Sequence, residues 1–467
     1  MLHGRASLRP EEIAFTFTHY DRDPAGVAES LTWSQLARRT MNVAVQLRRH
    51  GSAGDRAVIL APQGLEYILA FLGALQAGLV AVPLPLPFPG SGHERVGAVL
   101  TDTEPAVVLT TSAAAVDVGD YVAKADLASP PQLVEIDGLD LDADPAGAGL
   151  EPVGAQSLAY LQYSSGSTRQ PTGVMLSHRN LVANMSQIKA WGSVAFCEGE
   201  EIALSPLPLY HIFALTVNCL ALFNLGSLNV LVVNARDIPS VLKEFKRNKI
   251  TMMTGVNTLF NAMLNHKDFA GCDFSQFKFA LGGGMAVQRV VAEKWQSVTG
   301  SPLVEGYGMT ESSPVASVNP LDGSGKLGSI GLPVPSTDMR VVDEKGNPLP
   351  VDGIGEIQIS GPQVMKGYYN RPDETAKTIK DGWLSTGDIG KMDADGYFYI
   401  VDRKKDMILV SGFNVFPNEI EDVVAAHPKV LECAAVGKPD PKSGEVVKLF
   451  VVKKDKSLTE KELIEYC

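Results

Sequence analysis

One stretch of the chain concentrates groups able to hold a polyphosphate: Tyr163-Ser164-Ser165-Gly166-Ser167-Thr168-Arg169-Gln170-Pro171-Thr172-Gly173-Val174. Glycine lets the backbone turn several N–H groups toward one point, and serine and threonine add hydroxyl donors there. The spacing is neither GxxxxGK[ST] nor GxGxxG, so the usual NTPase and dinucleotide readings fail. A flexible polar linker would share this composition. Against that, apolar runs at residues 158–161 and 174–176 flank the segment and read as strands.

Such a loop needs a rigid frame, and the rest of the chain supplies one. Short apolar runs at residues 57–60, 80–83, 203–207, 228–233 and 252–255 alternate with helix-like runs at 65–75, 215–222, 241–245 and 259–264. This alternation predicts helices packed on mostly parallel sheets. From about Asp338 the texture changes to short strands between glycine-rich turns, at 339–342, 355–360 and 397–401, which predicts a β-rich subdomain. Asp402-Arg-Lys-Lys-Asp406 is a charged break, followed by a helix-like run at 417–426 and a strand at 432–436. The expected class is α/β: a large N-terminal domain over 1–402, its β-rich part at 338–402, and a small truncated α+β C-terminal domain over 403–467.

Composition narrows the function. The 467 residues are 45% hydrophobic and 20% charged, as in a globular protein with a large core, and the formal charge is −12. That charge argues against nucleic acid as a partner and against simple anchoring to anionic lipid. Cys197, Cys219, Cys272, Cys433 and Cys467 are scattered without CxxC spacing, which fits a reducing, cytoplasmic setting. Residues 1–10 lack the apolar core of a signal peptide. The apolar runs at 67–86 and 212–233 are interrupted by Gln, Gly, Pro and Asn, so each reads as a buried helix followed by a strand, not a membrane span. Peripheral association with a membrane stays open.

Four motifs in order carry a resemblance: the glycine/hydroxyl loop, Gly306-Tyr-Gly-Met-Thr-Glu311, Ser385-Thr-Gly-Asp388 and Asp402-Arg-Lys-Lys-Asp406. Together the chain resembles the acyl-adenylate-forming, AMP-binding superfamily over nearly its whole length. From about residue 199, Leu207-Pro-Leu-Tyr-His-Ile-Phe-Ala-Leu215 and Thr254-Gly-Val-Asn-Thr-Leu-Phe260 resemble bacterial long-chain fatty-acyl-CoA synthetases. Residues 1–185, with Leu31-Thr-Trp-Ser-Gln35, are closer to fatty acyl-AMP ligases. A fusion of two related parents is one way to read that difference.

The resemblance implies ATP, Mg²⁺ and CoA, with a fatty acid as the acid to be activated. Ser164, Ser165, Gly166, Ser167, Thr168 and Gly173 would hold the β- and γ-phosphates, with Ser164 also near the metal. The family usually has lysine before the loop's last glycine. This chain has Thr172, and Arg169 is the nearby cation. Thr310 would contact the α-phosphate and Glu311 would contact Mg²⁺. Tyr307 would pack on adenine, Gly283 and Gly284 would let backbone approach its edge, Asp388 would accept both ribose hydroxyls, and Arg403 would touch ribose. His211 and Leu215 would sit where the acyl channel meets the carboxylate, and Val256, Leu259 and Phe260 are either channel lining or plain core. Lys405 matches the hinge between adenylation and thiol transfer, and Ser411, Gly412, Phe413 and Asn414 would line the pantetheine entry.

Among the family's activities, only residues 312–327 separate the Gly-Tyr-Gly motif from Gly328-Ser-Ile-Gly331, leaving little room for the insertion usual in acyl-AMP ligases. Transfer to CoA is therefore expected over delivery to an acyl carrier protein. Residues 207–215 hold no aspartate to meet an amino-acid amine. The segment after Lys405 is short for this family and offers no counterpart of its C-terminal lysine. A truncated nucleotide-binding fragment is thus a further alternative, and weak adenylation is the expectation.

Overall fold

The computed structural model describes residues 1–87, 93–145, 149–164, 171–232, 234–411, 413–440 and 443–467. A nine-stranded sheet runs in the order Leu332–Pro333, Val315–Val318, Leu303–Gly308, Phe279–Gly282, Met252–Gly255, Ile202–Ser205, Leu228–Leu231, Ile13–His19, Val27–Thr32. From Leu303–Gly308 to Ile13–His19 the neighbours are parallel, and both flanks are antiparallel. A seven-stranded sheet has the order Gly367–Tyr368, Thr172–Ser177, Leu158–Ser164, Val80–Pro83, Arg56–Ile59, Val107–Thr110, Gln132–Glu135. It is parallel from Leu158–Ser164 onward.

Parallel neighbours need crossovers, and helices supply them. Helix Leu65–Gln76 joins Arg56–Ile59 to Val80–Pro83. Helix Trp33–Leu47 starts at a capping box made by Thr32 and Gln35, and helix His178–Trp191 at one made by Ser177 and Asn180. Along Trp33–Leu47 the buried Leu36, Thr40, Val43 and Leu47 recur at helical spacing. That face enters a core shared by both sheets. Phe15 and Leu231 of the first sheet and Ile59, Tyr160 and Leu176 of the second lie in one cluster with Phe71 and Leu215. The other face of the nine-stranded sheet is covered by Phe245, Phe260, Phe269 and Trp295. Val96, Val99, Leu100 and Val118 cover the seven-stranded one.

Residues 213–222 differ from the expected α-helix. Phe213–Leu222 winds as a π-helix. Its buried Asn218 donates to Ser205 Oγ at 2.8 Å and accepts from Thr254 Oγ1 at 2.9 Å, so a polar contact pins the wide turn to two strands of the sheet.

The β-rich part is a five-stranded antiparallel sheet made of Asp338–Val342, Gly355–Ser360, Trp383–Met392, Ile379–Lys380 and Phe398–Arg403. Beyond it, Ile408–Val410, Phe413–Val415, Val430–Asp440 and Gly444–Lys453 form a four-stranded antiparallel sheet. Helices Pro417–Ala425 and Glu460–Tyr466 pack there around Val424, Val430, Leu458 and Leu463. The mixed α/β class therefore matches the expectation. Among the described residues, no helix is long and apolar enough to cross a membrane.

Candidate functional site

Two glutamines draw the C-terminal ends of the parallel strands together. Gln162, on Leu158–Ser164, donates to Tyr210 O at 3.0 Å. Gln63, just past Arg56–Ile59, donates to Val232 O at 2.6 Å and accepts from the Leu209 N–H at 3.0 Å. The crevice outside such strand ends is where α/β sheets bind ligands.

Several of the residues named from sequence are tied to one another by hydrogen bonds and strand register. Tyr307 lies on Leu303–Gly308, and its hydroxyl donates to Asp388 Oδ2 at 2.5 Å. Asp388 sits in Trp383–Met392, in register with Arg403 of the next strand, whose Nε is 3.7 Å from Oδ1. Burial pushes the Asp388 carboxyl above its ordinary value, while the Tyr307 hydrogen bond and the Arg403 and Lys405 charges work the other way. Its N–H is held by Thr386 Oγ1 at 3.1 Å, so carboxylate and backbone are both fixed.

Thr310 and Glu311 open the 3₁₀ turn Thr310–Ser312 directly after that tyrosine strand. Glu311 is buried, and its Oε1 accepts the Tyr368 hydroxyl at 2.9 Å. Burial raises its pKa, with the nearby Asp388 charge adding to the rise. Gly283 follows strand Phe279–Gly282. A Cβ there would lie 3.2 Å from Gly306 O and 3.3 Å from the Phe213 ring, so a side chain would press on both as the loop closes on the tyrosine strand. Gly284 next to it takes φ +77°. Glu305 accepts the Val287 N–H at 3.1 Å and so ties the glycine loop to the same strand. Its carboxyl is pushed up to about 8 by burial, with Asp422 of the C-terminal part adding to the rise.

His211 is exposed at the crevice, and its Nδ1 accepts the Phe213 N–H at 3.3 Å. The protein around it lowers its pKa, which favours a neutral imidazole. Leu215, named beside it, is fully buried between the sheets. Leu259 and Phe260 are buried core on the sheet's other face, Phe260 packing edge-on against Trp295 at 5.0 Å.

The backbone of Ser164 ends its strand opposite Thr172, and Gly173 pairs with Tyr163. Ser165, Gly166, Ser167, Thr168 and Arg169 lie outside the described residues, as does Gly412. Arg403 closes its strand, and Lys405 is exposed in the turn after it. Sequence reasoning missed Tyr368, Gln63 and Glu305. Glu305 directly precedes the Gly-Tyr-Gly motif, a position that could have drawn attention. Tyr368 meets Glu311 only because strand Gly367–Tyr368 adds to the edge of the seven-stranded sheet.

A small apolar cavity of about 30 Å³ lies beside strand Phe279–Gly282. Trp191, Phe196, Val217, Phe279, Leu281 and Val318 line it, and no polar surface reaches it. A larger cavity of about 340 Å³ lies against Arg48, Gly78 and Glu151 and contains none of the residues above. Among the described residues, no group of three or more His, Cys, Asp or Glu could hold a metal ion.

Comparison with known proteins places this geometry in context. The AMP-binding enzyme family matches residues 2–369, and the AMP-binding enzyme C-terminal domain matches residues 419–467. The chain is 46% identical to a long-chain-fatty-acid–CoA ligase of Salmonella typhimurium, over 96% of this chain and 86% of that one. It is 40% identical to its counterpart in Haemophilus influenzae, with the same coverage. Both matches therefore take in most of the first 185 residues as well as the rest. Among solved structures, ATP-bound MatB from Rhodopseudomonas palustris superposes with a TM-score of 0.85 at 28% identity, covering 100% of this chain and 90% of that one. O-succinylbenzoate coenzyme A synthetase from Bacillus subtilis, in complex with ATP and magnesium ion, gives 0.83 at 28% identity, covering 100% and 92%.

Proposed function

The chain belongs to the AMP-binding enzyme family, and from that membership we propose that it is an AMP-forming ligase joining a long-chain fatty acid to CoA. In the first step a carboxylate oxygen attacks the α-phosphate of ATP. An acyl–O–P bond forms, the bond to the bridging oxygen breaks, and pyrophosphate leaves. In the second step the CoA thiolate attacks the acyl carbon and AMP departs with the electron pair of the broken C–O bond. Charge builds on phosphate oxygens first and on the acyl oxygen later, so the protein's task is to position and to stabilise charge.

The observation that carries the reading is the Tyr307–Asp388–Arg403 constellation beside Glu311, in a chain so similar to fatty-acid–CoA ligases. Asp388 presents a carboxylate that Tyr307 holds by one oxygen, an orientation suited to a ribose diol. The Tyr307 ring and the Gly283-Gly284 backbone form the walls for adenine. Thr310 faces the α-phosphate, and Ser164 to Gly173 take the outer phosphates. His211, neutral at the crevice, donates to the acid's carboxylate through Nε2 while Nδ1 accepts from Phe213. Arg403 and Lys405 act at the turn between the two half-reactions, with Gly412 at the thiol entry.

A buried carboxylate with one hydroxyl partner suits a hard divalent cation, so Glu311, with Ser164, would hold Mg²⁺. Bound there, Mg²⁺ would neutralise charge on the phosphate oxygens.

Delivery to an acyl carrier protein and an inactive fragment are not favoured, because the curated relatives named above are CoA ligases. The test is ATP–pyrophosphate exchange dependent on a long-chain fatty acid. Asp388→Ala should raise the KM for ATP by about ten- to a hundredfold, since charged hydrogen bonds are each worth about 1.5–3 kcal/mol. Exchange that ignores the fatty acid, or an unchanged KM, would contradict the proposal.

A further inference from the structure

We infer that Asp102 is a positioning residue for the outer phosphates: through Tyr163 and Arg371 it fixes the stem of the glycine/hydroxyl loop against the strand that reaches Glu311. This rests on the ligase reading above. Strand Leu158–Ser164 enters the loop and strand Thr172–Ser177 leaves it, with Tyr163 in register with Gly173. The Tyr163 ring lies over the Gly173 backbone, since a Cβ at residue 173 would fall 2.9 Å from the ring's Cζ. Tyr163 is buried, and its hydroxyl donates to Asp102 Oδ2 at 2.6 Å. Burial, with the Asp102 hydrogen bond adding to it, pushes that hydroxyl well above its ordinary pKa, so it stays a donor.

Asp102 lies near the end of helix His93–Thr103, whose Val96, Val99 and Leu100 share a cluster with Tyr163. Arg95, two turns earlier on the same helix face, donates to Tyr163 O at 3.3 Å. One helix thus holds both the side chain and the carbonyl of the residue at the loop's entry. The other Asp102 oxygen, Oδ1, is 3.5 Å from Arg371 Nη2. Arg371 follows strand Gly367–Tyr368, which pairs with Thr172–Ser177 at the loop's exit. The Tyr369 N–H donates to Gly173 O at 2.8 Å, and the Tyr368 hydroxyl donates to Glu311. One short segment therefore touches the loop's exit, Asp102 and Glu311. A carboxylate with a hydroxyl on one oxygen and a guanidinium beside the other is held in one orientation, so loop stem and Glu311 keep a fixed spacing. ATP meets both ends of that span, whereas AMP lacks the outer phosphates.

The experiment measures, in the full chain, the dissociation constants of Mg²⁺–ATP and of AMP by calorimetry, and the rate of CoA acylation from supplied acyl-AMP. Tyr163→Phe keeps the ring over Gly173 and removes only the hydroxyl. It should weaken Mg²⁺–ATP by about tenfold, the size expected from losing one hydrogen bond to a charged group, and leave AMP affinity and the acylation rate unchanged. Asp102→Asn keeps an acceptor for Tyr163 but loses the charge facing Arg371, and should show the same split with a smaller loss. Wild-type ATP affinity in both variants, or equal losses for ATP and AMP, overturns this inference while the ligase reading stands. A wild-type protein that binds neither nucleotide overturns both.

Discussion

Asp388, Glu311 and Glu305 are three acids at one crevice, and burial raises the pKa of each. The first two were legible in the sequence because each closes a short polar motif that a core has no use for. Glu305 was not, because its importance comes from the Val287 N–H that the fold brings to it. Its pH dependence can be worked out. Its folded pKa, about 8, lies above the ordinary carboxyl value, so the fold favours the protonated form. The stability this contributes is full below the ordinary value and is lost as pH rises toward about 8. Glu305→Gln keeps an acceptor for Val287 and cannot ionise. It should flatten the decline of stability between about pH 5 and 8, and at pH 9 be more stable than wild type by on the order of 1–3 kcal/mol. Urea unfolding across that range is the check. Parallel curves for the two proteins would show that Glu305 ionises without cost.

Among the elements, strand Gly355–Ser360 and helix Pro417–Ala425 lie almost where their patterns put them, because alternation and an N-terminal proline are local signals. The π-helical winding of Phe213–Leu222 was hidden, since it depends on Asn218 meeting Ser205 and Thr254 across the sheet. Leu259 and Phe260 are as apolar as Phe279 and Leu281, and only topology tells which cluster each pair joins. Helix His178–Trp191 is bound to strand Val315–Val318 by a side-chain amide imitating a strand. Asn184 Nδ2 donates to Val315 O at 2.8 Å, and its Oδ1 accepts the Val315 N–H at 3.1 Å, all buried. Asn184→Ala leaves both Val315 groups unpaired and should cost about 2–4 kcal/mol of stability in chemical denaturation. A loss below 0.5 kcal/mol, within the ordinary range for surface sites, would mean that water or a neighbour takes over both bonds.

For the molecule as a whole, two sheets converge on the crevice while a separate four-stranded sheet follows the turn at Lys405. Asp402 spans that junction, its carboxylate accepting the Arg403 N–H at 2.6 Å and the Asn418 N–H at 3.2 Å. Asn261 of the large domain donates to Leu431 O at 3.1 Å, so the C-terminal sheet is docked by polar contacts that can be exchanged. The change to separate antiparallel sheets was legible because texture changes near Asp338 and Asp402. The docking contacts were not, because they join residues far apart in sequence. The central claim is that this assembly consumes ATP to join a fatty acid to CoA. It is tested most directly by incubating the protein with a long-chain fatty acid, ATP, Mg²⁺ and CoA and counting both products. The account predicts AMP and acyl-CoA in equal amounts, neither formed without the acid; AMP without acyl-CoA, or no AMP at all, would contradict it.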